Sequence, residues 1–127
     1  MSLDVDIAAD AIRARRHNHL KNQLTRSAAS VPTNIVEGRA HRKDTEFVRF
    51  LGYAVASASE TEYHLLACRD KGLLTNAVFE KLSGQVIEVR KMLFGLIDTI
   101  NESIAETKRP PLPPATDDDN QTGSVVP

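Results

Sequence analysis

Arg26, Ser30, Asn34 and Glu37 step along the chain by 4, 4 and 3 residues, the spacing that puts polar side chains on one stripe of an α-helix. Farther on, Ser57 and Glu60 lie about one helical turn apart. Brought together, these six residues would make a partly buried polar layer. Within it Arg26 would satisfy a carboxylate, and the Asn34 amide would reach a backbone carbonyl. Such a layer gives packing specificity, and it is also where a ligand or an active site would sit. Ser57, Ser59, Glu60 and Glu62 do not compose a triad or an acid/base pair, so no catalytic residue is assigned and no enzymatic activity is expected.

Metal and cofactor chemistry is equally thin. His17 and His19 stand two residues apart and point to different faces of a helix, and the four histidines form no i, i+4 pair. The single cysteine, Cys68, excludes an internal disulfide or a Cys-rich zinc site, and it continues an apolar stripe as a small core residue would. None of the six glycines belongs to a phosphate-loop pattern. No metal and no cofactor are expected.

Charge is more informative. The 127-residue chain has a net charge of −1, yet between Arg13 and Lys43 eight Lys/Arg face one acid, Glu37. Seven of the eight (Arg13, Arg15, Arg16, Lys21, Arg39, Arg42 and Lys43) would carry a polyanion such as RNA or DNA. The alternative is a solvated helix surface paired with acidic neighbours, because surface ion pairs are common and weak.

The elements that must position these residues read as helices. Leu3, Ile7 and Ala11 repeat every four residues up to about Arg16, with Ala8 and Ile12 beside them. Leu20, Leu24, Ala28, Val31 and Ile35 follow, with Gly38 at the place of a C-terminal cap. A third stripe runs Phe47, Leu51, Ala54, Ala58, Thr61, Leu65 and Cys68, entered through Asp44 as N-cap and closed by Gly72. The fourth is the clearest: after Thr75 as N-cap, Phe79, Leu82, Val86, Val89, Leu93, Leu96 and Ile100 alternate steps of 3 and 4. Pro32 interrupts the second segment, but Ile35 stays in step with Val31, so a kinked, continuous helix is expected there. No stretch alternates with period two for long enough to make a strand.

The expected fold is all-α, an antiparallel up-down four-helix bundle over residues 1–108. A disordered Pro-rich and then acidic tail is expected over 109–127. Val36, Val48, Phe50 and Val55 are apolar residues left over beside the stripes, which points to self-association. No apolar run approaches membrane-spanning length and no secretion signal opens the chain, so the expected location is cytoplasmic, with no membrane partner.

Two stretches, "NQLTRSAASVPTNIVEG" and "EFVRFLGYAVASASETE", resemble the four-helix-bundle proteins first noticed as open reading frames within 23S rRNA intervening sequences. Accessory proteins of diversity-generating retroelements are relatives of that family. The resemblance rests on Leu20, Gln23, Leu24, Arg26, Ala28, Ser30, Pro32, Asn34, Ile35, Glu37 and Gly38, then on Phe47, Phe50, Leu51, Ala54, Ser57 and Glu60. It implies a bacterial, non-enzymatic scaffold or adaptor assembled as a homopentamer, working with itself and with nucleic acid or a nucleic-acid-processing protein. The chain departs from the family at Thr25, where a second basic residue is usual, and at Val55-Ala56, where an Arg-Gly pair is usual.

Overall fold

The computed structural model of the chain describes residues 3–113. Three helices run through them: α1 over Leu3–Ala40, α2 over Asp44–Asp70 and α3 over Asn76–Lys108. The four-helix expectation is corrected to three, because the first two segments form one helix of 38 residues. The apolar stripe pauses between Arg16 and Leu20, but His17, Asn18 and His19 contain no glycine or proline that would end a helix there. Helix α1 also continues through Pro32, at a place where Ala28 and Pro32 are both exposed. Helix α3 ends at Lys108; of the tail expected over 109–127, residues 114–127 lie outside the described part.

Connections of a few residues make neighbours antiparallel. Helix α2 lies in the middle and packs against both α1 and α3. Its whole stripe from Phe47 to Cys68 is buried, together with Ser57 and His64. Phe47, Leu51, Ala54 and Leu93 form the core cluster, closed by Val31 and Ile35 from α1 and by Val55, Ile97 and Ile100. Of the leftover apolar residues, Val55 joins this cluster, Val48 and Phe50 are half-buried, and Val36 remains 69% exposed.

Two turns show what each glycine is for. Gly38 does not cap α1 but sits buried inside it. A Cβ there would stand 2.7 Å from Phe50 Cβ and 2.9 Å from Phe47 Cδ1, so the missing side chain lets α1 and α2 approach. Gly72 does close α2: its φ is +78°, and the Leu73 N–H donates to the Cys68 carbonyl at 2.8 Å. At the α2 entry Lys43, not Asp44, is the cap residue, and Asp44 and Glu46 lie in the first turn. Thr75 caps α3 as expected, accepting from the Val78 N–H at 3.2 Å.

Candidate functional site

The polar layer exists, with a different membership. Ser30 Oγ and Ser57 Oγ lie 2.8 Å apart across the α1–α2 interface. Asn34 Nδ2 donates to the Ser30 carbonyl at 2.8 Å and to its hydroxyl at 3.0 Å. Thr61 Oγ1 lies 2.8 Å from the Ser57 carbonyl and 3.0 Å from Ser27 Oγ, which itself lies 3.0 Å from the Leu24 carbonyl, so two hydroxyl protons are shared among three contacts. Ser27 and Thr61 are buried to 4% and 6% exposure and were not among the six polar residues picked from the sequence. The signal was there: Ser27, Ser30 and Asn34 step by 3 and 4, and Ser57 and Thr61 by 4.

Arg26, Glu37 and Glu60, expected in the layer, are all exposed. Each residue turns an α-helix by about 100°. With Ser27, Ser30, Asn34 and Gly38 against α2, Arg26 and Glu37 are each rotated one residue off that face. Glu60 instead meets His64, Oε1 to Nε2 at 3.2 Å, with its own side chain 61% exposed. The layer therefore holds hydroxyls and one amide and no charge. It sets the register of α1 on α2 and offers neither a nucleophile–base pair nor an acid/base pair.

The thiol of Cys68 is buried, and burial pushes it above the usual thiol range. It suits packing and not nucleophilic attack. Among the described residues no group of His, Cys, Asp and Glu could hold a metal ion.

The basic residues fall into two separate groups. Arg13, Arg15, Arg16 and Lys21 are exposed on the N-terminal half of α1, while Arg39, Arg42 and Lys43 are exposed where α1 turns into α2. A continuous helix separates Arg16 from Arg39 by about 35 Å at its usual rise, so they do not form one patch. The second group adjoins aromatic rings. His41 stacks on Phe50 at 5.0 Å between centroids, and Phe50 meets Tyr53 edge-on at 5.4 Å. Arg39 lies 5.5 Å over Phe47, and Arg49 lies 5.7 Å and 6.0 Å from the rings of Phe50 and Tyr53. Tyr53 is 46% exposed.

The most conspicuous unfilled feature is apolar. A groove of about 400 Å³ runs between α1 and α3 with α2 as its floor. Leu24, Ala28, Val31 and Pro32 form one wall, Leu82, Gln85, Val86 and Val89 the other, and Ala58, Thr61 and Leu65 the floor. The strongest heptad stripe of the sequence is thus open: on α3 only Leu93 is buried, and Val89 and Leu96 are 38% and 40% exposed.

Comparison with known families places residues 2–95 in a match to the family described as 23S rRNA-intervening sequence protein. Among solved structures, the chain is similar to a protein with unknown function from the S23 ribosomal protein family of Bacteroides thetaiotaomicron VPI-5482. The two share 28% identity with a TM-score of 0.60, over 61% of this chain and 72% of the other. No curated protein matches the chain. Among the described residues no helix is long and apolar enough to cross a membrane.

Proposed function

The chain belongs to the family of 23S rRNA-intervening sequence proteins, and from that membership we propose that it is a non-enzymatic cytoplasmic scaffold or adaptor that works by self-association. The observation that carries this reading is the open α3 stripe. Leu82, Val86, Val89 and Leu96 have the spacing of a buried seam, yet the single chain leaves Val89 and Leu96 more than a third exposed. Apolar surface of this pattern marks an interaction face. In the assembled protein a fourth helix completes each bundle, and the assembly is a homopentamer. Cyclic closure with five copies makes every contact head-to-tail. Light scattering at micromolar concentration tests this: about five times the 14.0 kDa of the chain is expected, and a monomer overturns the proposal.

A second reading is favoured by the rings at the α1–α2 turn. Exposed Arg39, Arg42 and Lys43 beside His41, Phe50 and Tyr53 combine phosphate-binding charge with stacking surface, the pairing that single-stranded nucleic acid uses. On this reading the scaffold also binds RNA or DNA. Binding to a labelled single strand should weaken steeply as salt rises and should vanish in the triple variant Arg39→Glu, Arg42→Glu and Lys43→Glu. Equal binding by that variant removes the reading.

A further inference from the structure

Helix α3 runs past the family match, which ends at residue 95, as far as Lys108. The chain then continues as Arg109-Pro110-Pro111-Leu112-Pro113. The Arg109 N–H closes the helix on the carbonyls of Ala105 and Glu106, at 3.1 and 3.2 Å. Its own backbone has already left the helix, with φ −70° and ψ 133°, close to the polyproline II values of about −75° and about +145°. Every residue from Arg109 to Pro113 either is a proline or precedes one. Proline fixes φ at about −65°, and a residue before proline is held in the extended region, so local sterics favour this conformation along the whole stretch. It lies open: all residues from Ala105 to Pro113 are exposed, Leu112 to 86%.

We propose that this stretch is a docking ligand for a partner protein that reads polyproline II segments, through a groove lined by aromatic rings with an acidic residue at one end. With three residues per turn, Pro110 and Pro113 fall on one edge about 9 Å apart, the spacing of the Pro-x-x-Pro ligands that such grooves take. The proline rings bring apolar surface, and their stiffness lowers the ordering cost of binding. Lys108 and Arg109 put positive charge at one end of the stretch only, so an acidic residue on the partner fixes the direction in which the ligand lies. The partner is a different protein. The chain's own ring cluster at Phe50 and Tyr53 adjoins residues 37–49, where Arg39, Arg42, Lys43 and Arg49 outnumber Glu37, Asp44 and Glu46, so it offers no acidic end. The ligand also stands clear of the groove between α1 and α3, because Arg109 lies about 30 Å along α3 from Val89. A scaffold can therefore self-associate and hold this partner at once. The proposal goes beyond the self-association reading and does not depend on it.

The full-length chain contains no tryptophan, so the tryptophan emission of an added domain reports its groove alone. The probes are three purified domains with tryptophan in the groove: an SH3 domain, a WW domain and an EVH1 domain. At least one should bind saturably. The full-length triple variant Pro110→Ala, Pro111→Ala and Pro113→Ala should weaken that binding by about tenfold or more, since it removes both the ring contacts and the stiffness. Lys108→Glu with Arg109→Glu should weaken it by about threefold or more at low salt. Both variants change residues at or beyond the end of α3, so helix content and assembly size should match the parent. No binding to any of the three domains overturns the proposal, and so does equal binding by the proline variant. Equal binding by the charge variant overturns the acidic end. A monomer in the scattering experiment overturns self-association and leaves the docking ligand standing.

Discussion

Gly38→Ala sets two effects of known size against each other. In an ordinary helix interior alanine is better than glycine by about 0.5–1 kcal/mol, because glycine loses more backbone freedom on folding. At Gly38 the new methyl would stand 2.7 Å from Phe50 Cβ and 2.9 Å from Phe47 Cδ1, against about 3.5–4 Å for carbon atoms in comfortable contact. Phe47 could turn its ring, but the Phe50 Cβ is fixed by the backbone of α2. Relief therefore needs α1 and α2 to separate by most of an ångström. That movement loosens the His41–Phe50 stack and strains the Ser30–Ser57 bond. Overpacking of this kind costs about 1–3 kcal/mol, which less the alanine gain leaves the variant less stable by up to about 2.5 kcal/mol. Gly52 is the control: it lies in α2 with nothing within 4 Å of an added Cβ, and Gly52→Ala should stabilise by about 0.5–1 kcal/mol. Urea unfolding of both variants and the parent at one protein concentration reads the two signs directly. If Gly38→Ala stabilises as Gly52→Ala does, the helices do not approach at Gly38 and the close-contact reasoning is refuted.

Leu51, with no exposed surface at all, should cost about 2–5 kcal/mol when cut to alanine; a loss under about 0.5 kcal/mol in the same urea assay would place the core elsewhere. Thr75→Ala removes the acceptor for the Val78 N–H and should cost about 1 kcal/mol, with fraying of the first turn of α3 seen as faster amide exchange. The Cys68 thiol is raised above its ordinary value of 9.0 by desolvation, so the folded chain holds that proton more tightly than the unfolded one. Its contribution is complete below the unfolded value and is lost as pH rises through the folded value. Stability should therefore fall as pH rises above about 9, and Cys68→Ala should remove that part of the fall.

Helix type and most helix ends were legible in the sequence because they depend on neighbours in the chain. The 3.6-residue stripe of α2, the left-handed Gly72, the Thr75 cap and the stop at Lys108 follow from steric and hydrogen-bonding rules acting over a turn or two. Every stripe residue of α2 from Phe47 to Cys68 proved buried because α2 has a partner on each side. The equally regular stripe of α3 did not, since periodicity says which residues share a face and not whether anything lies against it. The apolar stripe pauses after Arg16 without ending the helix, because a helix ends where the backbone is broken and not where its apolar residues stop. Only the tertiary structure decided the rest. It put Gly38 against Phe50, turned Arg26, Glu37 and Glu60 out of the polar layer, brought Ser27 and Thr61 in, and set Arg16 and Arg39 about 35 Å apart along one helix. Those outcomes turn on a rotation of about 100° per residue and on the distance between two packed helices. Both are properties of a pair of elements, which no single stretch of sequence contains.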